Sequence, residues 1–291
     1  MMPPLRPAIT SRDNPLLRRL SHLLSNPTGY RRGGEICMEG EHLCSAYLAR
    51  GHRPGLAVFS ESAWQRLPLR ELASGAGEVQ WVADRLLAQI SSLPSPAGVV
   101  FVAEVPANGT PDPFASAVLL DRVQDPGNVG SILRSASALG VRQLWTTLGT
   151  AALWSPKVLR AGMGAHFGLN LCEGVDVTSL TAGLHRAGAA RSEPRAQGAQ
   201  GTQAASGSSQ AGSERAPWVA TSSHSGDLLG QLELPAPCVW VLGHEGQGVA
   251  PELLQRCQLT VRIPQPGGEE SLNVAAAAAI CLYESARQRR S

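Results

Sequence analysis

The chain has 291 residues, 43% of them apolar, which is enough for one large domain or two modest ones around a sizeable core. Charged residues make up 16% and the formal net charge is +2; this excludes a globally disordered chain and gives no overall sign of a nucleic-acid partner. The distribution of charge says more, because residues 1–34 carry Arg6, Arg12, Arg18, Arg19, Arg31 and Arg32 against Asp13 alone. A basic end on a nearly neutral body suits contact with a polyanion, and equally a solvated arginine-rich helix.

The start, MMPPLRPAITSRDNP, lacks the apolar core of a secretory signal. No apolar run reaches the ~18 residues of a membrane span. The six cysteines, Cys37, Cys44, Cys172, Cys238, Cys257 and Cys281, form no CxxC and have no histidine at zinc-like spacing. Most sit in apolar runs, so they read as buried free thiols rather than metal ligands or disulfides. The chain is therefore expected in a reducing compartment, as a cytoplasmic protein without a metal.

The first element is a helix over PLLRRLSHLL, with Leu16, Leu17, Leu20, Leu23 and Leu24 at helical spacing and Asn14-Pro15 as its cap and first position. A short strand and a helix ending near Gly51 follow. GLAVFS (55–60), VQWVA (79–83) and GVVFVAEV (98–105) read as buried strands, so this part is a small α/β unit. The Pro, Gly and Asn of 106–116 mark a linker. A second α/β series starts at AVLLDRV (117–123) and continues through RQLWTT, GLNLCE, WVATSS, CVWVLG and LTVRIP to a final helix from Leu272. This alternation predicts a mostly parallel sheet covered on both faces. Residues 187–216 interrupt it with a low-complexity run almost free of large apolar side chains, expected to be a mobile surface insertion.

Three segments carry candidate chemistry. In DRVQDPGNVGSILRSASALG (121–140) a buried strand turns into a helix; Asn128 is placed as its N-cap, Gly130 lets a ligand approach the backbone, and Arg134 follows six residues on. In WVLGHEGQGVAPELL (240–254) a strand runs into Gly243, Gly246 and Gly248 around Glu245, whose charge argues against a phosphate cradle. Neither the P-loop nor the dinucleotide fingerprint is present, which disfavours a nucleotide-binding oxidoreductase. In VRIPQPGGEESLNVAAAAAICLYE (261–284) Ser271 is expected to cap a helix that holds Asn273 in its first turn, and the alanines allow close packing. Taken singly, each segment also fits an ordinary capped helix or tight turn.

Taken together, in this order and each at a strand end, they resemble the SpoU (TrmH-like) family of RNA 2′-O-ribose methyltransferases. The first segment matches N-x-G-x-x-x-R through Asn128, Gly130 and Arg134. The second matches L-G-x-E-G-x-G through Leu242 to Gly248. The third matches I-P followed by S-L-N through Ile263, Pro264, Ser271, Leu272 and Asn273. ITSRDNPLLRRL and ICMEGEHL resemble the substrate-binding domain that precedes many of these enzymes. The departures are His244 where the family mostly has Asn, Ala275 where a serine is common, and Gly162 where RASMGA would have serine.

The resemblance implies an N-terminal α/β RNA-binding domain over 1–107 and a trefoil-knotted parallel-sheet methyltransferase domain over 108–291, with the knot over about 240–284. It implies S-adenosylmethionine held near Thr221, Leu242, Gly243, Gly246, Ile263 and Leu272. It implies a homodimer and no membrane association. Arg134 would activate the ribose hydroxyl, with Asn128, Glu245, Ser271 and Asn273 orienting it, while Arg12, Arg18, Arg19, Arg31 and Arg32 would contact RNA phosphates. Ribosomal RNA is the expected substrate; transfer RNA, or a non-catalytic knotted RNA-binding protein, are the alternatives.

Overall fold

A computed structural model describes residues 7–181, 215–224, 226–267 and 271–289. The low-complexity insertion expected at 187–216 lies outside the described residues except for its last two. Of these, Ala216 is buried, and Arg215 donates to the Leu180 carbonyl at 2.9 Å.

Two sheets organise the chain. The first contains β1 (Glu35–Glu39), β2 (Leu56–Ser60), β3 (Glu78–Val82) and β4 (Val99–Glu104) in the order β1-β4-β2-β3. β4 runs antiparallel to both of its neighbours, and β2 and β3 are parallel. Around this sheet lie α1 (Pro15–Ser25), α2 (Gly29–Gly33), α3 (Glu41–Ala49), α4 (Glu61–Gln65), α5 (Leu67–Glu71) and α6 (Asp84–Ile90). The Asn14 side chain accepts from the Leu16 amide as the expected cap of α1, and Leu17, Leu20, Leu23 and Leu24 face inward.

The second sheet contains β5 (Ala117–Leu120), β6 (Gln143–Thr146), β7 (Asn170–Cys172), β8 (Trp218–Thr221), β9 (Asp227–Leu228), β10 (Val239–Leu242) and β11 (Leu259–Arg262). Its order is β7-β6-β5-β10-β8-β11-β9 and every pairing is parallel. The helices here are α7 (Pro126–Ala138), α8 (Pro156–Gly162), α9 (Val177–Thr181), α10 (Pro251–Leu254) and α11 (Val274–Gln288). Both faces are buried, as continuous apolar strands require. Val118, Leu120, Trp240 and Leu242 pack with residues of α7, α8 and α11, whereas Ala117, Leu119, Val239 and Val241 pack toward α10. Each fully buried Val or Leu contributes about 1.5–3 kcal/mol.

The first face joins a core that also includes Tyr30, Ile36, Met38 and Phe101 of the first unit. Polar contacts reinforce the junction. The Tyr30 hydroxyl donates to the Glu173 carboxylate at 2.7 Å, which also accepts from the Leu153 amide at 2.8 Å. Tyr47 meets Phe167 edge-on with ring centroids 4.9 Å apart.

All six cysteines are buried and unpaired. Burial pushes the thiols up, Cys172 and Cys238 to about 11 and Cys257 and Cys281 to about 12. Among the described residues there is no group of His, Cys, Asp or Glu side chains arranged to hold a metal, and no helix long and apolar enough to cross a membrane.

Gly130 and Gly162 are explained by packing. A Cβ on Gly130 would overlap Ala161 and lie 2.7 Å from the Gly162 amide, so this glycine permits α7 and α8 to cross closely rather than opening the backbone to a ligand. A Cβ on Gly162 would lie 2.7 Å from His166 Nδ1, so the ring takes the space a serine would need. His166 is fully buried, with Nε2 3.0 Å from the Leu153 carbonyl and no partner at Nδ1. Desolvation lowers its pKa to about 4 despite the opposing pull of that carbonyl. The unfolded chain therefore takes up this proton first as pH falls. Stability contributed by the neutral ring is complete above about pH 6.5 and is lost progressively toward pH 4, on the order of 3 kcal/mol at most. Thermal melts are expected to show a lower midpoint at pH 4.5 than at pH 7, with the slope reduced in His166→Gln. Equal slopes in the two proteins would place the acid lability elsewhere.

Candidate active site

The three segments converge at the carboxyl ends of β5, β10 and β11, where open parallel sheets place ligands. β5 and β10 are adjacent, so the turn after Leu120 and the loop after Leu242 lie side by side. In the first turn Asp125 is the N-cap of α7, accepting from the Asn128 amide at 2.8 Å. Asn128 is thus the third residue of the helix and not its cap, which leaves its side-chain amide free. The expected cap is corrected because the Asp-Pro pair starts the helix three residues earlier.

The Glu245 carboxylate crosses to this turn. It accepts from the amides of Gln124 at 3.3 Å and Asp125 at 3.2 Å, and from Asn128 Nδ2 at 3.1 Å. Asn128 Oδ1 in turn accepts from Asn273 Nδ2 at 3.0 Å. Asn273 Oδ1 accepts from the amides of Ala275 and Ala276 at 2.9 and 3.3 Å. Asn273 is therefore the N-cap of α11, and Ser271, expected in that role, lies two residues before the cap. The hydrogen bonds all run one way, from the α11 amides through two carboxamides to a carboxylate, so both asparagine orientations are determined. Burial raises the Glu245 pKa, but the bonds from Asn128 and the two amides outweigh it and hold the carboxyl below its ordinary range. Glu245 is ionised at neutral pH.

Beside the network lies a cavity of about 540 Å³ whose wall includes Thr221, His224, Gly243, Ile263 and Leu272. Of the residues assigned to the cofactor, Gly246 also lines it; Leu242 is buried one position back in β10. Glu245, Ser271 and Asn273 complete the rim. A Cβ on Gly243 would overlap the backbone of Gly248 and Val249, so only glycine lets the loop double back there. The wall is rich in glycine, serine and other small residues, with a single acidic side chain among the described residues, Glu245, already committed to the network. It fits a bent nucleoside–amino acid ligand bound by backbone groups better than a polyphosphate.

The sequence reading did not single out Asp121. It is buried, and its carboxylate accepts from the Ala250 amide at 2.9 Å and the Thr147 hydroxyl at 3.0 Å. It ties the end of β5 to the loop after β6 and to the return of the 243–250 loop. The Arg122 guanidinium bridges Asp121 and Gln247, with the Arg122 backbone at φ 56°. An acidic residue closing the apolar run AVLLD was the available signal.

Arg134 is not brought into the network. It is exposed on α7, has no hydrogen bond or ion pair among the described residues, and does not line the cavity. Of the arginines assigned to RNA, Arg19 forms a two-point ion pair with Glu35, with Nε to Oε2 at 2.8 Å. Arg31 reaches Glu173 at 3.4 Å, and Arg18 reaches Asp13 at 3.4 Å. Arg12 and Arg32 are exposed and unpaired among the described residues.

Fold and site thus define an α/β protein with a cavity rich in small residues at the carboxyl edge of a parallel sheet. The profile of the SpoU rRNA Methylase family matches residues 115–283, and the chain belongs to that family. It is 30% identical to the 23S rRNA (uridine(2479)-2′-O)-methyltransferase of Streptomyces viridochromogenes, over 97% of this chain and 93% of that protein. It is also 30% identical to an uncharacterized tRNA/rRNA methyltransferase of Synechocystis sp., over 97% of this chain and 94% of that one. The crystal structure of the SpoU methyltransferase AviRb from Streptomyces viridochromogenes, in complex with AdoMet, is similar with a TM-score of 0.78 at 28% identity, covering 96% of this chain and 99% of that chain.

Proposed function

We propose that this protein is an enzyme that transfers the methyl group of S-adenosylmethionine to a ribose 2′-hydroxyl of structured RNA, with ribosomal RNA as its substrate. The observation that carries this reading is the one-way network Asn273–Asn128–Glu245, which joins all three family segments at the rim of a cavity sized for the cofactor. The cofactor would supply an electrophilic methyl on a sulfonium. The protein's part is to hold the cofactor along the 243–248 loop, align the ribose and manage the hydroxyl proton.

In this reading residues 1–107 form the RNA-binding domain and residues 108–291 the methyltransferase domain. The order β5-β10-β8, which seats a later strand between two earlier ones, is compatible with the knot over about 240–284. Phosphate contacts are assigned to Arg12, Arg18, Arg19, Arg31 and Arg32, with Arg12 and Arg32 the freest. Cytoplasmic location follows from the substrate and the six free thiols. The direct test is transfer of labelled methyl from S-adenosylmethionine to purified rRNA or tRNA, followed by mapping of ribose methylation. Label at a ribose of rRNA is expected. Label confined to tRNA would move the substrate, and no label with bound cofactor would remove the activity.

A homodimer is part of the proposal. Tyr283 is 61% and Ile280 40% exposed on α11, in line with Ala276 at helical spacing, an apolar stripe that a second copy would cover. Light scattering is expected to give twice the chain mass for the native protein and a shift toward monomer for Tyr283→Arg. A native monomer at micromolar concentration would contradict it.

A further inference from the structure

His244, a departure from the family pattern, occupies a defined position in the cofactor loop. Its Nδ1 accepts from the amides of Gly246 at 2.9 Å and Gln247 at 3.3 Å. Its own backbone exchanges hydrogen bonds with Gly248, at 3.0 and 2.8 Å, so the ring closes a turn the main chain has already formed. Both partners are backbone donors, and Nδ1 can accept from them only with its lone pair free. The ring proton is therefore on Nε2 and the imidazole is neutral. An asparagine would do the same with Oδ1, which like Nδ1 is one bond beyond Cγ, the geometry of an Asx turn. This accounts for histidine where asparagine is usual.

We infer that His244 is the positioning residue of the cofactor loop, its Nδ1 holding the amides of Gly246 and Gln247 in the turn that forms part of the cavity wall. The inference rests on the proposed cofactor site. Opening the turn would shift Gly246 and Gln247 and disturb Glu245, which lies between His244 and Gly246, and with it the link to Asn128. Among the described residues, the other ionisable groups around the loop are accounted for. Glu245 points to the turn after β5, Arg122 is held by Asp121 and Gln247, and Asp121 is held by Ala250. His224 lines the same cavity, and its amide is bonded to Ser222.

The test is calorimetric titration of the full chain with S-adenosylmethionine at pH 8, for the native protein, His244→Asn and His244→Ala. His244→Asn is expected to rescue binding, with affinity near native at pH 8. His244→Ala, which leaves two amides without their acceptor, is expected to bind about 10-fold more weakly. Native affinity in the Ala protein would overturn the inference, as would an Asn protein that binds as weakly as the Ala protein. Absence of binding by the native protein at pH 8 would instead overturn the cofactor site, and the inference with it.

Discussion

Replacing Glu245 by alanine is expected to lower methyl transfer by about 100-fold while leaving the fold intact. The carboxylate is the shared acceptor for Gln124, Asp125 and Asn128. Without it the turn after β5 loses its tie to the 243–248 loop, and Asn128 loses the bond that fixes its amide. A displacement near 1 Å of aligning groups costs a reaction on the order of 100-fold. Glu245 is exposed and contributes no apolar packing, so the melting midpoint is expected to move by only a few degrees. Glu245→Gln can keep the bonds from Asp125 and Asn128 at one oxygen, but its amide nitrogen then faces the Gln124 N–H, donor to donor. Its expected loss is intermediate, about 10-fold. Single-turnover rates at saturating cofactor make the comparison. A full rate for Glu245→Ala would show that the network does not align the reacting groups.

Arg134→Ala is expected to cost at least ~100-fold in the same assay with cofactor affinity unchanged. The reasoning starts from what Arg134 does not do. It is exposed, unpaired among the described residues and absent from the cavity wall, so its removal disturbs neither folding nor the cofactor loop. In the proposed reaction an unneutralised guanidinium at this point would act on what arrives from outside, a substrate phosphate or the negative charge that grows on the ribose oxygen as its proton leaves. Arginine remains protonated under ordinary conditions, so it serves as an electrostatic partner unless a neighbour takes its proton. Loss of one such donor costs on the order of 100- to 1000-fold. Arg134→Lys keeps the charge but not the planar fork, and is expected to recover only part of the rate. Full transfer by Arg134→Ala would remove this residue from the reaction.

Much of the frame was legible along the chain. The apolar runs at 117–120 and 239–242 specify strands buried on both faces, because nothing in them faces water. The leucine spacing of α1 specifies one packed face, and Asn14-Pro15 marks its start. The cluster of Gly243, Glu245, Gly246 and Gly248 is a local property of the sequence, as is its likeness to the family segments.

The partners of those residues were not legible, since a hydrogen bond between positions 117 or 145 residues apart leaves no local pattern. Only the pairing of β5 with β10 and the approach of α11 decide that Glu245 meets Asn128 and Asn128 meets Asn273. The caps moved for the same reason. Asp125 and Asn273 took the helix amides, which freed Asn128 and left Ser271 on the rim. Gly130 reads locally as room for a ligand, but the crossing of α7 and α8 fills that room with another helix. The chain alone determined the strands, the loops and the residue types at their ends. The tertiary structure decided which side chains share a hydrogen bond and which one, Arg134, is left facing outward, because those outcomes depend on distances the order of residues does not contain.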